Sequence, residues 1–220
     1  MPFCPLPASL TDDLRRSGTA GVLELGSGDG AFTGMLRDLG VEPVTLDRAG
    51  PAVGVRPTVV ADAMAPPLRG RFGVVVAANL LRQVWPRVRT TGPLAWRDLV
   101  GPDGRLWILE DQPCDGSPAV RNYRALQDLL ARLHPETRGA LLNVEEFARA
   151  CRRWAWPGTW TRGEWENVWP ARADRVIAML DAGRPRAGGE VAALRDAIAR
   201  DGLAYGRAWW ACWQPEDVDA

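Results

Sequence analysis

Short apolar runs alternate with amphipathic segments through the first half of the chain. Val22, Leu23 and Leu25 read as a buried strand, and Phe32, Met35, Leu36 and Leu39 follow at i, i+3, i+4 and i+7. That spacing predicts a helix with one face on a core, and Gly40 supplies its stop. Further strands are predicted over Pro43–Asp47, Thr58–Ala63 and Phe72–Ala78. The last is apolar throughout, as a central strand covered on both faces should be. Gly92-Pro93 opens a short helix ending at Gly101, and Asp103-Gly104 turns the chain into a fifth strand that runs to Leu109. Alternating strands and helices imply a parallel sheet with right-handed crossovers.

After Asp111 the pattern changes. Val120, Tyr123, Leu126, Leu129, Leu130 and Leu133 lie on one face of a helix over 119–134, closed by His134-Pro135. A second helix is predicted from Val144 to Trp154, with Asn143 as N-cap and Glu146 at the capping-box position. Trp154 to Trp169 alternates as an extended segment, which would put Trp154, Trp156 and Trp160 on one face. Helices near 171–182 and 190–201, separated by the loop Gly183–Gly189, lead to a last strand over Tyr205–Trp213 and an acidic tail. Residues 1–20 are proline-rich and then charged, a leader that reads as a frayed tail, with a short helix leading into the sheet as the alternative.

Composition narrows the classes. At 220 residues and 24.1 kDa the chain suits one domain with a substantial core. Its formal net charge of +0 offers no overall electrostatic footprint for nucleic acid. Every basic residue is arginine, a bias without direct functional content. Cys4, Cys114, Cys151 and Cys212 are scattered, which argues against a zinc site and for a reducing compartment. The opening Met1–Leu10 lacks the basic-then-apolar order of a signal peptide, and no apolar run is long enough to span a bilayer. A soluble, cytoplasmic protein is expected, with its oligomeric state left open.

The chemistry centres on Gly26-Ser27-Gly28-Asp29-Gly30, between the first strand and the first helix. A turn of small residues there brings backbone N–H groups close to a ligand, as in nucleotide sites. The glycines alone also satisfy a dinucleotide fingerprint, with Ala31 as its third position. Three features add to them: Glu24 inside the strand, Asp47 ending the second strand, and Asp62-Ala63 ending the third. Together these residues resemble the class I S-adenosylmethionine-dependent methyltransferases. The similarity continues through Asn79-Leu-Leu-Arg-Gln-Val84 and Leu99–Leu109, covering residues 20 to 112 in the family's order.

The resemblance implies a Rossmann-like, doubly wound α/β fold: a mostly parallel seven-stranded sheet with an antiparallel C-terminal strand and helices on both faces. It implies a leader over 1–20 and one domain over 21–220, with a cofactor-binding half (21–112) and a tryptophan-rich acceptor half (113–220). The cofactor would be S-adenosylmethionine, leaving S-adenosylhomocysteine. Gly26, Ser27, Gly28 and Gly30 would approach its methionine portion, with Glu24 and Asp29 organising the ammonium group. Asp47 would accept both ribose hydroxyls, Asp62 would meet the adenine amino group, and Ala63 would add a backbone contact. Asn79 would face the transferring methyl. Two helices separate the last strand pair, where the family often has a tight hairpin, so its register stays open.

The acceptor side is less legible. A small-molecule acceptor is expected over strands four and five, with Asn79, Glu110 and His134 as catalytic candidates. His134 equally suits a helix C-cap, and Glu110 and Asp111 equally suit solvation. Glu164 and Glu166 lie among tryptophans, where burial would raise a carboxyl pKa. Tyr123, Trp160 and Trp165 are the candidate roof; packing is the alternative role for the 11 tryptophans. Two rival functions remain. One is an NAD-dependent oxidoreductase, against which Glu24 and Gly30 weigh. The other is a catalytically silent methyltransferase-like subunit, against which the intact glycine loop and Asp47 weigh.

Overall fold

The computed structural model describes residues 6–18, 21–49, 58–112, 116–133, 141–166 and 173–216. Seven strands form one sheet: β1 (Val22–Leu25), β2 (Val44–Asp47), β3 (Thr58–Val60), β4 (Phe72–Ala78), β5 (Val100–Gln112), β6 (Thr159–Glu166) and β7 (Arg207–Gln214). Their order is β3-β2-β1-β4-β5-β7-β6. The first five pair in parallel, and β7 is antiparallel to both β5 and β6. The sheet winds outward in one direction from β1 and in the other from β4. The carboxyl ends of these two strands therefore mark the switch point beside which ligands bind in open α/β sheets.

Strand alternation divides the core. Leu23, Leu25, Val75, Ala77, Leu106 and Ile108 face one layer, and Val22, Val74, Val76, Trp107 and Leu109 face the other. Helices α3 (Leu81–Val88), α4 (Leu94–Arg97) and α6 (Val144–Trp154) cover the first face; α1 (Ala8–Arg16) and α2 (Ala31–Asp38) cover the second. The stop after α2 is as predicted: Gly40 has φ +80°, and Val41 N–H donates to Leu36 O at 2.9 Å, a Schellman ending. Asn143 caps α6 through Glu146 N–H at 2.8 Å. The Glu146 carboxylate, however, accepts from the Trp85 indole at 3.0 Å.

Three expectations are corrected. The leader does not fray between Ala8 and Arg16. Leu6, Leu10 and Leu14 are buried against the sheet, and buried Asp13 accepts hydrogen bonds from Trp107 Nε1 (3.0 Å), Arg105 Nη1 (3.0 Å) and Arg16 Nη2 (2.6 Å). Second, β3 and β4 are joined by residues 61–71 without a helix, and two helices stand between β4 and β5. Third, the tryptophan segment is not one extended strand. Trp154 ends α6, Ala155 turns the chain at φ +48°, and β6 starts at Thr159.

The C-terminal helices form a layer with its own apolar cluster. In α5 (Pro118–Leu133) and α7 (Ala173–Asp201), Leu126, Leu129, Leu180, Val191, Leu194 and Ile198 pack together. The two helices expected here meet at a kink at Gly188 (φ +55°, ψ −138°) in place of the longer loop expected over 183–189. Asn122 Nδ2 ties the pair by donating to Ala197 O at 3.1 Å and Gly202 O at 2.9 Å.

The Asp13 contacts generate a prediction. Asp13→Ala leaves the Trp107 indole N–H and the Arg105 guanidinium without their buried acceptor, at a cost of about 1–3 kcal/mol. Urea unfolding should show a lower midpoint at unchanged slope, and an unchanged midpoint would contradict it.

Candidate active site at the carboxyl ends of the strands

The glycine loop is held by β2. Gly26 N–H donates to Leu46 O at 2.7 Å, and Gly28 N–H donates to Asp47 Oδ2 at 2.8 Å. Asp47 Oδ1 accepts from Ala49 N–H at 2.8 Å, so both carboxylate oxygens are oriented from the backbone. Gly26 has φ +72°, and a Cβ there would lie 2.8 Å from the Leu80 side chain. The left-handed conformation demands glycine, and a side chain there would also have to displace Leu80. Gly28 (φ +52°) is open: a Cβ would meet nothing nearer than Gly26 O at 3.9 Å. Gly30 (φ +79°) is the N-cap of α2, and exposed Asp29 accepts from Ala31 N–H at 3.1 Å.

Glu24 lies beneath this loop, 1% exposed. Thr33 Oγ1 donates to its Oε2 at 2.6 Å. Burial pushes its carboxyl up to about 7, against the opposing pull of the Thr33 hydroxyl. At the β3 end, Asp62 Oδ1 accepts from Met64 N–H at 2.9 Å and Oδ2 from Arg87 Nη1 at 3.1 Å. The Met64 amide, with help from Arg87, holds this carboxyl below its ordinary value. Ala63 O accepts from the indole of fully buried Trp96 at 2.8 Å.

A polar cluster occupies the ends of β4 and β5. Asn79, left-handed at φ +54°, accepts from Asp111 N–H through Oδ1 at 3.0 Å. Glu110, 1% exposed, accepts from Arg82 N–H through Oε1 at 3.2 Å. Its Oε2 has no hydrogen-bond partner and lies 4.0 Å from Arg82 Nε. Burial raises the Glu110 carboxyl to about 7, with Arg82 opposing. Tyr123 OH donates to Asp111 Oδ2 at 2.7 Å, and Arg82 Nη1 approaches the same oxygen at 3.5 Å.

Solved structures share this architecture. A methyltransferase from Geobacter sulfurreducens, crystallised with S-adenosylhomocysteine, is 17% identical, with 95% of this chain and 90% of that chain covered at TM-score 0.55. One from Thiobacillus denitrificans, also with S-adenosylhomocysteine, is 17% identical over 95% and 90% at TM-score 0.52. A cyclopropane-fatty-acyl-phospholipid synthase-like protein from Lactobacillus casei is 16% identical over 93% and 90% at TM-score 0.58. The fold is that of the class I S-adenosylmethionine-dependent methyltransferases. No family model and no curated protein sequence matches the chain.

In this methyltransferase fold Glu24, Gly26, Ser27, Gly28, Asp29, Gly30, Asp47, Asp62 and Ala63 stand at or just below the ends of β1, β2 and β3. Asn79, Glu110 and Tyr123 gather at β4 and β5, where the Asn79 side-chain oxygen Oδ1 already braces β5 through the Asp111 amide. His134 lies outside the described residues. The proposed roof is not brought together. Trp160 pairs through Trp213 to Leu106, five residues below Asp111, to which Trp165 pairs through Ala208. Five residues of strand put Trp160 roughly 17 Å below that level. It packs instead with Phe147, Trp154 and Trp156, at centroid distances of 5.3, 6.2 and 5.7 Å. Trp165 packs on the opposite face, with the Trp107 cluster.

Two residues were missed. Thr33 interrupts the apolar face of α2 at a position facing Glu24, a polar intrusion visible in the sequence. Arg82 was hidden, because its partners Glu110, Asp111 and Tyr123 are distant in the chain.

Glu24 gives a pH prediction. Its folded value near 7 exceeds its ordinary 4.5, so the folded chain keeps a proton that the unfolded chain loses. Stability is therefore lost as pH rises through this window, by about 3 kcal/mol once both states are ionised. Glu24→Gln should melt above the parent at pH 8, with the difference shrinking toward pH 5. A pH-independent difference would refute the assignment.

Proposed function

We propose that the chain is an S-adenosylmethionine-dependent methyltransferase acting on a small-molecule acceptor in the cytoplasm. The observation that carries this reading is the Asp47 carboxylate, oriented by the Gly28 and Ala49 amides beside an open glycine turn. The donor and acceptor set suits the cofactor. Asp47 accepts from two ribose hydroxyls and excludes a 2′-phosphate by charge. Asp62, at the end of the next strand, accepts from an amino group on the base, beside Ala63. The buried Ser27 hydroxyl has no partner among the described residues, exposed Asp29 offers its carboxylate to an ammonium group, and Glu24, its carboxyl raised to about 7, adds charge there only as it ionises.

The bound cofactor supplies a methyl group already activated on a sulfonium. The protein's work is then to align the acceptor, which is worth on the order of 7–11 kcal/mol. Asn79 and Glu110, at the ends of β4 and β5, stand on the acceptor side. Glu110 combines a pKa near 7 with an oxygen free of hydrogen bonds, the properties of a proton acceptor for a hydroxyl or carboxyl nucleophile. Arg82 keeps it oriented through its own backbone amide and guanidinium. Tyr123 and Trp165 complete the candidate acceptor side; Trp160 is left to the core. The absence of a net basic charge supports a small acceptor over nucleic acid. No helix among the described residues is long and apolar enough to cross a membrane.

Calorimetry tests the cofactor. S-adenosylhomocysteine should bind and raise the melting temperature, while NAD and NADP should do neither. Nicotinamide binding without adenosylhomocysteine binding would return the oxidoreductase reading.

Asp47→Ala should weaken S-adenosylhomocysteine binding by about 1.5–3 kcal/mol. The chain should still fold cooperatively, because Asp47 is only partly buried at a strand end. Parent-like affinity in this variant would show that β2 does not carry the ribose contact.

A further inference from the structure

The turn after β3 is held in place from outside its own crossover. No helix follows Asp62 before β4 begins, and residues of α3 and α4 take over the task. Trp96 of α4 fixes the Ala63 carbonyl through its indole at 2.8 Å, from a fully buried position. Arg87 of α3 donates to Asp62 Oδ2 at 3.1 Å while the Met64 amide holds Oδ1 at 2.9 Å. One donor on each oxygen sets the carboxylate plane before any ligand arrives. The Asp62 side chain remains 37% exposed and that of Arg87 54%, so lone pairs stay open to the cofactor side.

We propose that Arg87 is a positioning residue for base recognition, holding the Asp62 carboxylate so that it accepts from the exocyclic amino group of adenine and rejects a 6-oxo purine. This rests on the cofactor reading above, and Arg87 enters through the geometry around Asp62. A carboxylate only accepts hydrogen bonds. An amino group meets it with a donor, whereas a 6-oxo group meets it with a second acceptor and leaves both desolvated and unpaired. A carboxylate free to rotate would blunt that difference by turning toward solvent or toward the N1–H of the oxo base. Exposed ion pairs contribute little to stability, so the effect of Arg87 should appear in ligand choice. The contact runs through one guanidinium nitrogen to one oxygen, so a lysine ammonium in its place would keep the charge and lose part of the directional hold.

The test is calorimetry on parent, Arg87→Ala and Arg87→Lys with S-adenosylhomocysteine and S-inosylhomocysteine. The parent should prefer the adenosyl ligand by about tenfold or more. Arg87→Ala should lose most of that preference through weaker adenosyl binding, at unchanged inosyl affinity and melting temperature. Arg87→Lys should recover part of it. Equal losses for both ligands would mark Arg87 as merely structural, and tighter adenosyl binding would mark the ion pair as a competitor; either overturns the proposal. A parent that binds both ligands equally overturns it while sparing the cofactor reading. A parent that binds neither removes both.

Discussion

Two consecutive residues at the end of β2 hold the loop on which the site depends. The Leu46 carbonyl accepts from Gly26 N–H at 2.7 Å and Ser27 N–H at 3.3 Å, and the Asp47 carboxylate accepts from Gly28 N–H at 2.8 Å. A loop of left-handed glycines makes no ladder of its own, so its amides need acceptors from elsewhere. The parallel pairing of Leu25 with Leu46 delivers those acceptors at the right height. One strand end thus shapes the loop and presents a carboxylate beside it, so the conformation of the loop and the position of that carboxylate are set together.

Burial of acids is the recurring cost in this molecule, and the chain meets it in different ways. Asp13 accepts from three donors and anchors α1 to β5. Glu24 has one hydroxyl donor and Glu110 the start of α3 with an arginine nearby, and both carboxyls are pushed up to about 7. Under-compensated carboxyls of this kind cluster where chemistry occurs. Asp13, fully engaged on the far side from α3, does structural work. The contrast separates Glu24 and Glu110, near the strand ends, from Asp13, an acid that the sequence leaves looking much the same.

The tryptophans divide by face. Trp154, Trp156, Trp160, Trp209 and Trp213 build one wall with Phe147, in which Trp154 and Trp156 stack at 5.4 Å. Gly92 belongs to that wall by its lack of a side chain, since a Cβ there would sit 2.6 Å from Trp156. Trp107, Trp165 and Trp210 belong to the other face. Large rings let this chain cover the antiparallel edge of its sheet with few residues.

Local patterns carried a large part of the fold. The apolar runs of β1 and β4, the i, i+3, i+4 spacing of α2, the Gly40 stop and the Asn143 cap are all set by neighbours within a few residues. The same holds for the order Glu24, glycine loop, Asp47, Asp62, because strand-end positions follow directly from element order in a parallel sheet. What remained hidden depends on partners far apart in sequence. Docking of α1 requires Trp107, 94 residues beyond Asp13. Arg82 acquires its meaning from Glu110, 28 residues away, and Tyr123, 41 residues away. The separation of Trp160 from Trp165 follows from strand parity and from the register of β6 on β7, which a helix between the two strands leaves unspecified. Period and punctuation in the sequence determined which elements form. Only packing decided which distant side chains meet, because burial rewards contact without regard to chain order.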